Sequence, residues 1–224
     1  MLEPEALQGA FLAASGETQA LMNHLGLAAR SAPTAKLVFE SDLRASLRRA
    51  LQFGRQEMVS VETSLSKDGL LADPTDVVVA GKTKKAQLAV ELQWHPRSED
   101  QAGFANQAIG DMVKMALAKS RDVVEQATVV VAAPTRFWRW LPGYAAEHVA
   151  LDLLGANSEA PSSAKSSVLA GPSWDFLFEG NSDKELPERL WSQLLDRAEI
   201  RSPWAEVELR LFEVKGLGPS IRPR

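Results

Sequence analysis

Leu88-Ala89-Val90-Glu91-Leu92-Gln93-Trp94-His95 constrains this chain more than any other stretch. Read as a strand, its side chains alternate between two faces. Leu88, Val90, Leu92 and Trp94 share one, and Ala89, Glu91, Gln93 and His95 share the other. The first face demands a core. The second sets a carboxylate, an amide and an imidazole in one row, which ordinary sheet packing does not require. Shortly before it, Asp76-Val77-Val78-Val79 reads as another strand, β-branched and led by an acid.

The neighbouring segments supply the layers such strands need. Residues 4–14 and 17–29 read as two helices broken at Ser15-Gly16, and a third, capped by Ser41-Asp42, runs to about Arg55 with Leu43, Leu47, Ala50 and Leu51 on one face. Residues 58–65 read as a strand, with a turn at Lys67-Asp68-Gly69. Asp76–Ala80 and Gln87–Trp94 are joined by the basic hairpin-like connection Gly81-Lys82-Thr83-Lys84-Lys85. From Gln101 to Lys119 the period turns helical, with Ala105, Ala108, Ile109, Met112, Met115 and Ala116 in one stripe and Asp111, Lys114 and Lys119 off it. Ala127–Ala133 reads as a buried strand. A Pro/Trp-rich segment over 134–142, a helix over Ala145–Leu154, a loop over Asn157–Ser166 and a short strand over Ser167–Ala170 follow. Glu185–Ala198 reads as an amphipathic helix, and Val207–Val214 as a strand with a polar outer face.

Hairpinned strands feeding a helical crossover into a further strand imply an α/β fold, a mixed sheet flanked by helices with a helical N-terminal region. The 224 residues suit one domain over 1–224, with a helical part over 1–55, a core over 56–135 and peripheral helices and strands over 136–224. Zero cysteines exclude disulfides and thiolate metal sites, and three scattered histidines argue against zinc. No apolar run reaches the ~18 residues of a membrane span, and no signal peptide is read, so the expectation is a cytoplasmic protein without membrane contact. A net charge of −4 argues against indiscriminate nucleic-acid binding, but the charge is unevenly placed. Arg30, Lys36, Arg44, Arg48, Arg49 and Arg55 face only Glu40 and Asp42 over residues 30–55, whereas residues 172–208 hold nine acids and four bases.

Hydrolysing a phosphodiester requires charge neutralisation at the phosphate and a deprotonated water beside it, and a divalent metal held by carboxylates supplies both. Asp76 and Glu91, on neighbouring strands, are the candidates to converge on such an ion; Asp73, before Pro74, competes with Asp76 but lies in a turn. An acid opening a hydrophobic strand, followed by a strand carrying Glu-x-Lys, resembles the PD-(D/E)XK nuclease superfamily, a minority of which carry Gln for the Lys. The likeness extends to the Bgl-type restriction endonucleases over about residues 58–135. Ala89-Val90-Glu91-Leu92-Gln93-Trp94, then Met112-Val113-Lys114-Met115, then Val129-Val130-Val131-Ala132-Ala133-Pro134 carry it.

That resemblance implies a restriction-endonuclease-like fold and a Mg²⁺-dependent endonuclease, with Mn²⁺ as a substitute metal. It makes Asp76 and Glu91 metal ligands, puts Gln93 at the usual lysine position, and makes Glu62 an auxiliary acid. The linker between Asp76 and Glu91 is longer than in the Bgl type. Because Gln93 brings no charge, either metal-bound water does the work of the lysine, or Lys114 or Lys119 reaches in from the following helix, or the site is degraded. In the last case the chain is a DNA-binding or protein-interaction module. The implied partner is double-stranded DNA, bound by a homodimer if the site is a palindrome. Lys82, Lys84, Lys85, Lys114, Arg136 and Arg139 are candidate DNA contacts, with Trp138 and Trp140 able either to stack bases or to fill a core. His95 either touches phosphate or caps the strand end. Glu213-Val214-Lys215 spells Glu-x-Lys again, but no acid-led strand feeds it, so it belongs to the edge of an antiparallel strand.

Overall fold

The computed structural model describes residues 3–29, 40–53, 55–67, 69–95, 100–148, 164–168, 186–202 and 205–221. In chain order these form α1 (Pro4–Ala29), α2 (Glu40–Gln52), β1 (Val59–Thr63), a 3₁₀ turn (Gly69–Ala72), β2 (Thr75–Val79), β3 (Ala86–Trp94), α3 (Gln101–Ser120), β4 (Val124–Pro134), α4 (Thr135–His148), β5 (Ala164–Val168), β6 (Leu186–Ser202) and β7 (Ala205–Ile221). The strands make one sheet in the order β1-β2-β3-β4-β7-β6-β5. β3 and β4 are parallel and joined by α3, while the remaining pairs are antiparallel. The mixed α/β sheet, flanked by helices and preceded by a helical N-terminal region, is therefore the architecture expected of the sequence.

Both faces of the sheet are covered. Leu88, Val90 and Leu92 pack with Val77, Val79, Val130, Leu209 and Leu211 beneath Leu7, Phe11, Leu43 and Leu47 of α1 and α2. Ala89 faces the other way, with Val129, Val131, Phe212 and Val214, toward Phe104, Ile109, Met112 and Met115 of α3 and Phe137 of α4. Each fully buried aliphatic side chain contributes ~1.5–3 kcal/mol of transfer free energy. The polar row of β3 thus lies under α3, and Glu91 is buried.

Several elements differ from their sequence-based expectations. α1 is one helix, unbroken at Ser15-Gly16. The Ser15 hydroxyl donates to the Phe11 carbonyl and the Thr18 hydroxyl to that of Ala14, each at 2.8 Å, so these residues satisfy themselves one turn back without ending the helix. Gly16 has open space around the position of a Cβ. Gly16→Ala is accordingly expected to stabilise the protein by ~0.5–1 kcal/mol in urea unfolding, as an alanine inside a helix does. Destabilisation would mean the helix breaks there after all.

Of the helix expected over 185–198, residues 186–198 are instead most of β6, paired with β7 from Leu186/Ile221 to Ser202/Ala205, and residue 185 lies outside the described residues. Leu190 and Leu194, four apart, share a face in a helix and equally in a strand, and pairing with β7 decides the matter. β7 runs from Ala205 to Ile221, and its residues Val207 to Phe212 are all buried, so it has no polar outer face. Glu213-Val214-Lys215 belongs to an antiparallel strand as expected, but sits within β7, between β4 and β6, rather than at the edge of that strand. α4 starts at Thr135, directly after β4, and so takes in the Pro/Trp-rich segment ahead of the helix expected from Ala145; residues 149–154 of that helix lie outside the described residues. β5 takes residues 164–166 from the expected loop, whose residues 157–163 lie outside the described residues, as do 169–170 of the expected strand. Among the described residues no helix is long and apolar enough to cross a membrane.

Candidate active site

β2 and β3 pair from Val79/Leu88 to Val77/Val90, and there the ladder stops, although β3 continues to Trp94. One further step of that register sets Asp76 beside Glu91. Beyond the last pair, carboxylates replace backbone carbonyls as acceptors for β3. The Leu92 N–H donates to Asp76 Oδ2 at 2.7 Å, and the Trp94 N–H donates to Glu40 Oε2 at 3.3 Å. An unpaired N–H there would carry the penalty of a buried unmet donor. The opening between the two strands is therefore lined with acid because the backbone needs acceptors.

Two cations enter this notch from opposite layers. Arg44 of α2 reaches Asp76 Oδ1 with its Nε at 2.9 Å and Glu40 Oε1 with its Nη2 at 3.0 Å, and also pairs with Glu62. Glu62 lies in β1 with φ of 50°, a left-handed backbone that a non-glycine residue adopts only when its surroundings impose it. From the other side Lys114 of α3 pairs with Glu91 Oε1 at 2.6 Å and donates to the Pro74 carbonyl at 2.9 Å, tying β3 to the start of β2. One helical turn earlier on α3, Asp111 Oδ2 accepts from Gln93 Nε2 at 2.6 Å. Asp111 and Lys114, i and i+3 on the helix, thus meet Gln93 and Glu91, i and i+2 on the strand. Asp111 and Lys114, read from the sequence as off the apolar stripe of α3, face the polar row of β3, and Met112 to Ala118 are all buried.

Five carboxyls (Glu40, Glu62, Asp76, Glu91 and Asp111) are gathered around Arg44 and Lys114. Burial, then the charge of Asp111, push the Glu91 carboxyl up to about 8 even though Lys114 pulls it down. Burial pushes Asp111 up to about 7 against its bond from Gln93 and the charge of Lys114. Glu40 is raised by burial and by the charge of Asp76. Burial works against the Arg44 charge, but Asp76, Glu62 and Glu40 outweigh it, and its pKa is raised. The cluster is thus short of positive charge.

Among the described residues no three His, Asp or Glu side chains converge closely enough to enclose a metal ion. Magnesium holds most of its shell as water and needs one or two carboxylates. The donor set fits such an ion: Asp76 and Glu91 offer hard oxygens from adjacent strands, and a divalent cation would relieve the part of the Glu91 shift that, after burial, comes from the charges of Asp111 and Asp76.

The other sequence candidates lie elsewhere. Asp73 is exposed in the turn before β2. Lys82 and Lys84 are exposed in the β2–β3 connection, where a Cβ at Gly81 would run into the Lys85 carbonyl, and Lys85 pairs with Asp122. That connection is at the far end of β3 from Glu91, about 17 Å along the strand at the usual rise per residue. Lys119 donates to the Glu125 carbonyl at the end of α3, so of the two helix lysines Lys114 is the one in the site. Arg136 and Arg139 are exposed on α4. Trp138 is core: its indole N–H donates to the Glu208 carbonyl at 3.1 Å and Arg210 stacks on its ring at 4.0 Å. Trp140 is partly buried and stacks on Tyr144. The His95 backbone N–H continues the β3–β4 ladder to Ala132, and its ring stacks on Phe104.

Glu40, Arg44 and Asp111 escaped the sequence reading. The signal for the first two was an acid and a base four apart opening a helix. For Asp111 it was an acid three residues before Lys114 in a helix otherwise apolar nearly all round. Comparison with protein-family models, with curated proteins and with solved structures returns no match.

Proposed function

We propose that this chain is a Mg²⁺-dependent DNA endonuclease, with Mn²⁺ able to replace Mg²⁺, that hydrolyses phosphodiester bonds in double-stranded DNA. The observation that carries this reading is the contact of Lys114 with Glu91 across from Gln93. It returns a positive charge to a row whose resemblance to the PD-(D/E)XK nucleases is otherwise broken by glutamine. The strand order around β1 to β4, with α3 as the crossover, supports the same resemblance.

On this reading Asp76 and Glu91 hold the ion, which when bound neutralises the phosphate and acidifies water. Arg44 keeps the Asp76 carboxylate in place, and Lys114 does the same for Glu91 while offering its charge to a phosphate oxygen. Hydrolysis joins a water oxygen to phosphorus and breaks the phosphorus–oxygen bond to the leaving sugar; the water gives a proton to solvent and the leaving oxygen takes one up. Arg136 and Arg139, exposed on α4, are candidate backbone contacts. Lys82 and Lys84 reach DNA only if it extends along the sheet. Action on a palindrome implies a two-fold homodimer, and a restriction enzyme acts in the cytoplasm, where its DNA is.

Incubation of supercoiled plasmid with the protein in Mg²⁺, Mn²⁺ or EDTA, with Asp76→Asn alongside, tests this. The expected result is nicked and linear DNA with either metal, at least ~100-fold less with the variant and none in EDTA. Discrete bands indicate a site-specific enzyme and a smear a nonspecific one. Intact plasmid with both metals overturns the reading.

A second reading is a catalytically inactive module that binds DNA or protein, favoured by the pairing of Arg44 with Asp76 and of Lys114 with Glu91. It predicts no saturable Mn²⁺ binding in a titration followed by electron paramagnetic resonance.

A further inference from the structure

Two side-chain pairs bridge α3 and β3 side by side, and they are chemically different. Lys114 with Glu91 is an ammonium–carboxyl contact that becomes an ion pair once Glu91 loses its proton. Gln93 with Asp111 is a hydrogen bond of fixed polarity, donated by the amide nitrogen at 2.6 Å. The ionised Asp111 carboxylate only accepts, so in that form, above about pH 7, the end of the Gln93 side chain nearest α3 has to be its NH₂ group. The carbonyl oxygen of the same amide is left unused by this bond, on a residue two positions beyond Glu91 and on the same face of the strand. Without a partner, an amide in this place has two orientations of similar energy, one presenting donors and the other an acceptor.

We propose that Asp111 is a positioning residue that holds Gln93 with Oε1 toward the notch. The work of the absent lysine is then divided between two side chains. Lys114 supplies the charge. Gln93 supplies an acceptor that orients a water beside Asp76 and Glu91. This inference rests on the nuclease reading for what the oriented water does, but the orientation itself is a property of the folded chain alone.

The chemistry is consistent with that division. An amide oxygen accepts a hydrogen bond from water but does not remove its proton, so Gln93 aims the oxygen lone pair while the proton leaves to solvent. A lysine at position 93 would act in the opposite sense, as a donor, and would itself pair with Asp111. The fixed polarity of the Gln93–Asp111 bond therefore separates this site from a Glu-x-Lys site in kind as well as in charge. Lys114 is prevented from filling both roles by its second bond, to the Pro74 carbonyl.

Two measurements on the full chain test this. In ¹⁵N-edited spectra the Gln93 side-chain NH₂, assigned by its loss in Gln93→Leu, is expected to exchange slowly with solvent and to appear shifted. Both features are expected to disappear in Asp111→Leu and to return in part in Asp111→Asn. A Gln93 amide that exchanges freely in the wild type, or that is unchanged in Asp111→Leu, overturns the proposal whether or not the protein cuts DNA.

The second measurement is a kinetic cycle on plasmid cleavage. Asp111→Leu and Gln93→Leu are each expected to lower kcat ~10–100-fold at saturating Mn²⁺ with KM for DNA unchanged, and the double variant is expected to be no slower than either. Equal losses from Asp111→Leu in the presence and absence of Gln93 would mean that Asp111 only supports the fold. If the wild type cuts nothing while its Gln93 amide is locked by Asp111, the nuclease reading fails, the catalytic part of this proposal falls with it, and the orientation stands.

Discussion

Lys114→Met is expected to lower the free energy of unfolding by ~3 kcal/mol at pH 9 and, on the nuclease reading, to remove cleavage, whereas Glu91→Gln with Lys114→Met is expected to recover most of the stability and none of the activity. The side chains of Lys114 and Glu91 are 8% and 6% exposed and 2.6 Å apart. Removing one member of such a pair leaves the other as an uncompensated buried charge, which is where losses of ~3–5 kcal/mol come from. Glu91 has an escape, because it takes up a proton readily, so the loss is smaller at pH 6 than at pH 9. The Pro74 carbonyl also loses its donor, which the double variant does not repair. Urea unfolding of the wild type, both single variants and the double variant at the two pH values gives the coupling directly. A coupling below ~0.5 kcal/mol at pH 9 would mean that the two groups do not interact as placed.

The second large effect is on pH. The Glu91 carboxyl has an ordinary value of 4.5 and rises to about 8 in the fold. Below 4.5 the folded and unfolded chains both carry the proton, and the stability linked to this group is fully present. Between 4.5 and about 8 the unfolded chain has released the proton while the folded one keeps it, so stability falls as pH rises, by up to ~1.4 kcal/mol per pH unit. Above about 8 the loss is complete. Asp111 acts in the same direction between 3.8 and about 7. Because the two groups repel each other, the slope belongs to the pair. Thermal melts without divalent metal are therefore expected to show the wild type losing Tm relative to Glu91→Gln from pH 5 to pH 8, with the two proteins matched near pH 4.5. A wild type that gains on the variant over that range would show that Glu91 is held charged, and that Lys114 dominates burial.

The part of the fold that repeats with period two or carries an unbroken apolar run was legible in the sequence. β2, β3 and β4 are in place, and so is the α3 crossover between β3 and β4. What failed were segments in which one spacing serves two structures. Leu190 and Leu194 satisfy a helix and a strand equally, and only β7, lying after them in the chain, decides. Ser15-Gly16 looks like a break until the hydroxyls are seen to bond back along the helix. In the site, Asp76, Glu91, Gln93 and Lys114 could be named from the strand pattern and the resemblance, and the structure brings them together. Glu40, Arg44 and Asp111 could not, because their roles depend on which face of a helix is turned to the sheet. The hairpin lysines were named from charge alone, and charge carries no information about which end of a strand it occupies.

The end of the β2–β3 ladder has a consequence for how this chain varies over time. Asp76 and Glu40 serve as the hydrogen-bond acceptors of Leu92 and Trp94, so on the nuclease reading a descendant that had stopped cutting DNA would still be selected to keep them. Acid in this notch records the architecture, and drift would leave it for last. The positions free to change first once cleavage no longer matters are Gln93 and its partner Asp111, whose bond holds no strand to its neighbour. In a set of descendants, substitution at those two places together, with Asp76 and Glu40 unchanged, would mark the branch on which the activity was lost.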